Sequence, residues 1–189
     1  MKLYHGTTTE NFQKIINDGL KINMPSNYDG DVKTSKGFLY FSNNIALAAY
    51  YGHLVSYKKD HTQYVILEVD IPNEWLSIDK DELTMTLEDF GIEVNVSSVE
   101  ECLDICGSVR ISKDLSIDNL KRALFLDVNK IFSQEDRHKE NTRDVTQRFI
   151  GDLRKYSYRN INENKRNKEE AENISLDLKW VVICGYSTQ

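Results

Sequence analysis

The chain opens on a short apolar run that turns polar: Leu3 and Tyr4 suit a strand, and His5-Gly6-Thr7 follows as its polar corner. Asn11-Phe12-Gln13-Lys14-Ile15-Ile16 then has helical spacing, with Thr8 or Thr9 able to cap it and Gly19 placed where a helix would stop. Gly37-Phe38-Leu39-Tyr40-Phe41-Ser42 repeats the design. A second short strand runs into a predicted helix over Ile45 to Tyr51, where Asn43 or Asn44 is the cap and Ala46, Ala48 and Ala49 permit close packing against the preceding strand. Residues 21–31 are rich in turn formers and without period, which reads as a loop.

Further along, Tyr64 to Ile71 is enriched in β-branched residues and stops at Pro72, the signature of a central strand. Trp75 to Asp79 reads as an edge or loop and Glu82 to Leu87 as a helix, while Val99, Leu103 and Cys106 share helical spacing. Ser108 to Ser112 alternates as a strand. Leu115, Ile117, Leu120 and Leu124 lead through a turn into another strand ending at Leu126-Asp127-Val128. Val145, Phe149, Leu153 and Tyr156 line one helical face, and Leu178 to Gly185 is a closing apolar strand. No internal repeat occurs.

With 189 residues, the chain fits one well-buried domain, residues 1–189, with a basic helical segment at about 133–172 before the last strand. A hydrophobic fraction of 40% and a charged fraction of 29% are those of a soluble globular protein. No run approaches the ~18 apolar residues of a membrane span, and the first residues lack the apolar core of a signal peptide, so a cytoplasmic location with no membrane partner is expected. Charge changes the picture more. Residues 137–168 hold ten Lys or Arg against four acids, whereas residues 1–136 hold 13 basic against 22 acidic. The field is dipolar although the net charge is -6.

The three cysteines, Cys102, Cys106 and Cys184, have no disulfide-framework spacing. On a helix Cys102 and Cys106 share a face and are either two metal ligands or, the favoured reading, small buried hydrophobes, since nothing nearby completes a site. His53, His61 and His138 lie in polar contexts and read as surface residues. No phosphate-cradling loop, zinc spacing or nucleophile elbow is present, and no metal is expected.

The ordered set His5-Gly6-Thr7, a helix ending Asp18-Gly19-Leu20, Gly37 to Ser42, and the small-residue helix Ala46 to Tyr51 resembles the NAD-binding half of ADP-ribosyltransferases. The branch it resembles is that of poly(ADP-ribose) polymerases and diphtheria toxin, with a His, a Tyr and often a Glu on three strands. The resemblance implies an α+β fold, an ADP-ribosyltransferase-like split β-sandwich of two antiparallel sheets with short helices. It implies NAD as substrate. His5 matches the His that bonds the adenosine ribose, Gly6 the Gly whose backbone meets the nicotinamide amide, and Thr7 a hydroxyl that adds a hydrogen bond. Tyr40 matches the strand Tyr, and Tyr51 a second Tyr that stacks on nicotinamide. The loop between the motif strands is either a plain connector or a flap over the cofactor, with Tyr28 at the adenosine end.

Two positions depart from the pattern. Where the family often has a Ser for the nicotinamide amide, Ala48 stands, and Ser42 either replaces it or the contact is absent. Ile117 to Leu126 looks like the segment that follows the third catalytic strand, and counting back from it places the expected Glu on Ser108 or Val109. Ser108 thus takes the third catalytic position beside His5 and Tyr40, with Glu100 or Glu101 as substitutes under a different strand register. Without that Glu, polymer growth is not expected.

The resemblance therefore implies a small bacterial or phage-type mono-ADP-ribosyltransferase, a glycosyltransferase acting as a toxin or host-modifying enzyme, with an antitoxin or regulatory partner possible. Phe149, Tyr156 and Tyr158 among the cations of the basic segment favour RNA as acceptor over protein. Two other readings stay open: an RNA 2′-phosphotransferase-like enzyme, which shares a His-Gly-Thr start, and a catalytically inactive NAD or ADP-ribose binding module.

Overall fold

The computed structural model describes residues 1–23, 34–90, 95–128, 168–169, 171–173 and 175–183, without the side chains of 86–90. Tyr28, His138, Cys184 and the basic segment up to Asn167 lie outside the described residues.

The first strand, β1 (Lys2–Thr8), runs further than the apolar pair Leu3-Tyr4 suggests. His5, Gly6 and Thr7 are strand residues in register with Leu67, Ile66 and Val65, so the corner comes only after Thr8. There Thr8 Oγ1 accepts from the Asn11 amide at 3.1 Å and caps α1 (Thr9–Asp18), and Gly19, with φ +75°, ends that helix. β2 (Leu39–Ser42) leads into α2 (Ile45–Lys58), capped by Asn44. This helix outlasts its expected end at Tyr51 by two turns. It continues because both sides are covered: nine of its residues, His53 among them, are buried, and a helix apolar nearly all round survives only in a core.

The remaining strands are β3 (Gln63–Asp70), β4 (Ser77–Ile78), β5 (Ser108–Ile111), β6 (Leu120–Asp127) and β7 (Val181–Val182). Helix α3 (Lys80–Phe90) follows β4, and α4 (Val99–Ile105) precedes β5. All pairings are antiparallel, in the order β4-β5-β2-β1-β3-β6-β7. All seven strands belong to one antiparallel sheet, in which β4-β5-β2 and β1-β3-β6-β7 are the two segments on either side of the split. They join through the single pair Tyr4↔Ser42, whereas β1 meets β3 over seven pairs.

Alternation assigns β1 and β3 residues to two cores. Leu3, Val65, Leu67 and Val69 pack with Phe12, Ile15, Phe41 and Val109 on one face; Tyr4, Tyr64 and Ile66 pack with Ala46, Ala48 and Ala49 on the other. Both faces of β3 are thus covered. His53 corrects the expectation of a surface histidine: it is 3% exposed, with its ring against Tyr57 and Tyr64. Cys102 and Cys106 are buried and unbridged.

Candidate functional site

Where β1 and β2 part after the Tyr4↔Ser42 pair, a cleft opens. Its wall is made by His5, Gly6, Tyr40, Ser42, Tyr51 and Ser108, six of the residues singled out in the sequence, with Ala48 beside them. Thr7 is buried in β1 and is not among the lining residues.

His5 bridges the split. Its Nδ1 lies 3.0 Å from the Tyr40 carbonyl oxygen, which can only accept, so Nδ1 carries the proton and Nε2 keeps a lone pair. Burial lowers the His5 pKa, against an opposing pull from that carbonyl, and the ring is neutral at pH 7. Gly6 has a second reason to be glycine besides access for a ligand: α2 rests directly on it at Ala48 and Gly52.

The hydroxyl of Ser42 belongs to the β2–α2 corner. It lies 2.6 Å from the Gly107 carbonyl and 2.9 Å from the Asn44 carbonyl, and accepts from the Asn44 amide at 2.8 Å. Its contribution is to hold the corner that aims Tyr40 and Tyr51. Of the two positions considered for the third strand, Ser108 faces the cleft and Val109 is fully buried in the core. Glu100 and Glu101 are exposed at the start of α4, where Glu101 accepts from the Ser97 amide and hydroxyl; neither lines the cleft.

Three lining carboxylates were not legible in the sequence: Asp79, Asp81 and Glu82, at the turn from β4 into α3. Asp79 caps that helix, its Oδ1 accepting from the amides of Asp81 and Glu82 at 3.1 Å each, and its Oδ2 accepts from Ser108 Oγ at 2.5 Å. Burial raises its pKa, opposed by these hydrogen bonds. Asp81 accepts from the Tyr40 hydroxyl, from the amide and hydroxyl of Ser35, and from Arg110 Nη1 at 3.1 Å. Burial alone would raise its pKa, but the Tyr40 and Ser35 bonds and the Arg110 charge together hold it below the usual carboxylate range. Burial, then the Asp81 bond and charge, push the Tyr40 phenol up. Glu82 accepts from the Tyr51 hydroxyl at 2.6 Å. The one sequence signal for this cluster is Asp79-Lys80-Asp81-Glu82, a cap residue with Glu at the third helical position, which marks a helix start at Lys80.

Chemically, the cleft offers a neutral imidazole acceptor, two aromatic walls and a concentration of negative charge. That combination suits a ligand with hydroxyls at one end and a cationic aromatic ring at the other. Among the described residues no group of three or more His, Cys, Asp or Glu is arranged to hold a metal ion, and no helix is long and apolar enough to cross a membrane.

Residues 1–103 match the model of the family described as the poly(ADP-ribose) polymerase catalytic domain. No match was found among curated proteins. Among solved structures the chain is similar to EcPltA, at 13% identity and a TM-score of 0.42, over 71% of this chain and 78% of that one. It is also similar to the full-length CARDS toxin, at 10% identity and a TM-score of 0.39, over 67% of this chain and 24% of that one.

Proposed function

The chain belongs to the poly(ADP-ribose) polymerase catalytic-domain family by its residues 1–103, and from that premise we propose that it transfers single ADP-ribose units from NAD to a macromolecule. The observation that carries the reading is His5 Nδ1 at 3.0 Å from the Tyr40 carbonyl. This contact puts the proton on Nδ1, burial keeps the ring neutral, and Nε2 is left to accept a hydrogen bond from the adenosine ribose. Gly6 and the face of Tyr51 then receive the nicotinamide, a cationic ring for which an aromatic face is worth about 0.5–2 kcal/mol.

Breaking the bond between nicotinamide and ribose C1′ leaves positive charge on the sugar, so the site must hold NAD in place and supply negative potential. Position 108 bears a hydroxyl and no carboxylate, which supports transfer of one unit over polymer growth. RNA is the proposed acceptor and protein the second choice. The basis is the surplus of six positive charges over residues 137–168, interleaved with Phe149, Tyr156 and Tyr158.

The test is NAD labelled in its adenylate moiety, incubated with purified protein and a cell extract, then divided between nuclease and protease. Label released by nuclease alone is expected. Label that survives nuclease and is released by protease makes a protein the acceptor, and label in long ladders overturns single-unit transfer. NAD binding without turnover points to the inactive binding module, a reading motivated by Ser108.

A further inference from the structure

The cleft face of β5 carries Ser108, yet a fixed anion stands next to it on the neighbouring strand. β4 pairs with β5 so that Ile78 is opposite Val109. Carrying that antiparallel register one residue further sets Asp79 opposite Ser108, and opposite residues of an antiparallel pair share a face of the sheet. The side chains meet there, Ser108 Oγ donating to Asp79 Oδ2 at 2.5 Å, and both line the cleft.

The other two carboxylates are differently employed. Asp81 is balanced by Arg110 at 3.1 Å and tied to the Tyr40 hydroxyl, and Glu82 holds the Tyr51 hydroxyl. Asp79 has no cation within ion-pair distance among the described residues, and its geometry is locked by two backbone amides and a serine. A buried carboxylate held in one orientation by fixed donors at the wall of a cleft is placed to stabilise positive charge that develops there.

We propose that Asp79, oriented by Ser108, is the catalytic carboxylate that faces the nicotinamide ribose, displaced by one strand from β5 to the junction of β4 and α3. The inference rests on the NAD reading above. In the step it serves, the C1′–N bond breaks with its electron pair passing to the pyridinium nitrogen, and neutral nicotinamide leaves. A lone pair of the acceptor forms the new bond to C1′, and the acceptor's proton is lost to water. Asp79 stays ionised throughout, accepting a hydrogen bond from the ribose 2′-hydroxyl and offsetting the charge on C1′. Ser108 acts through Asp79 and is a positioning residue.

The experiment follows nicotinamide release from NAD with water as acceptor, alongside equilibrium NAD binding, in the wild type, Asp79→Asn, Ser108→Glu and the double variant. Asparagine is as good a helix cap as aspartate, so Asp79→Asn keeps the α3 cap and a near-identical shape. The expected result is a loss of about 100-fold in kcat for Asp79→Asn, with NAD affinity within about twofold and an unchanged melting temperature. Returning a carboxylate to β5 in Asp79→Asn/Ser108→Glu should recover at least about tenfold of that rate.

Turnover in Asp79→Asn within about threefold of wild type overturns the inference alone. So does a loss of NAD affinity as large as the loss of rate, which assigns the Asp79 charge to holding bound NAD and not to the bond-breaking step. NAD binding by the wild type without nicotinamide release also overturns it while leaving the binding site intact. A wild type that neither binds nor consumes NAD removes the functional reading and this inference together.

Discussion

A side chain on Gly6 would collide with the backbone of Ala48: a Cβ there falls far inside contact with the Ala48 carbonyl oxygen and lies 2.6 Å from the Gly52 nitrogen. Strand β1 and helix α2 therefore touch backbone to backbone, and neither atom belongs to a flexible side chain that could swing away. Gly6→Ala should cost about 3 kcal/mol, the upper end for overpacking, because α2 must shift as a body. Thermal unfolding measures it. A melting temperature within a degree of wild type would mean that α2 does not rest on β1 as described.

If NAD binds as proposed, the neutral state of His5 should give its binding a characteristic pH response. Burial lowers its pKa from the ordinary value near 6.5, so the lone pair on Nε2 survives to lower pH than in an exposed histidine. Affinity should be flat from pH 8 to about 6.5 and decline only on further acidification, as Nε2 takes up a proton. His5→Ala should weaken binding by about 1 kcal/mol, the net value of one hydrogen bond, and lose that acid limb. Titration calorimetry across pH decides; an affinity that falls already between pH 8 and 7 contradicts the assignment.

Stability should respond to acid through Asp81. Its folded pKa lies below the unfolded value, so the unfolded chain binds more protons in the window between them, and the stabilisation present above the unfolded pKa is lost as pH falls through the folded one. Asp79, raised by burial, has the opposite sign: its contribution favours the fold below the unfolded pKa and is lost as pH rises through the folded value. Asp81→Asn should therefore flatten the loss of stability between pH 5 and 3, measured by urea unfolding at each pH. Arg110→Met should be the harsher change at neutral pH, by about 3 kcal/mol, because it strands the Asp81 charge in a site where both partners are largely buried.

Tyr51 separates ring from hydroxyl. Its hydroxyl is engaged with Glu82 at 2.6 Å, so the nicotinamide contact proposed for this residue falls to the ring face. Tyr51→Phe should leave NAD affinity within about twofold, while Tyr51→Ala should weaken it by ~0.5–2 kcal/mol. Equal effects of the two substitutions would assign the binding role to the hydroxyl.

How far the sequence reached depended on how local each feature is. The two helix caps, resolved to Thr8 and Asn44 from the adjacent pairs the pattern offered, the Gly19 stop and the strand expected over Tyr64 to Ile71, which runs one residue earlier, are set by neighbouring residues. His53 is different: polar neighbours suggested the surface, but Tyr64 arrives from β3 and covers it. Asp79 shows the same limit within the site. Along the chain it is one acid in a charged turn, and only the pairing of β4 with β5, residues far apart in sequence, sets it against Ser108.

The place of β1 inside the sheet fixes when it can be completed. Its long ladder joins Lys2 to Asp70 and Thr8 to Tyr64, so the earliest strand of the domain waits for β3 to be made. At ~5–20 residues per second on the ribosome that wait lasts several seconds, during which β1 has only the single Tyr4↔Ser42 pair with β2 to hold it and the apolar α2 has no completed sheet to lie on. A nascent chain stalled before Gln63 exposes both, and release of a few more residues lets strand and helix be covered in a single event.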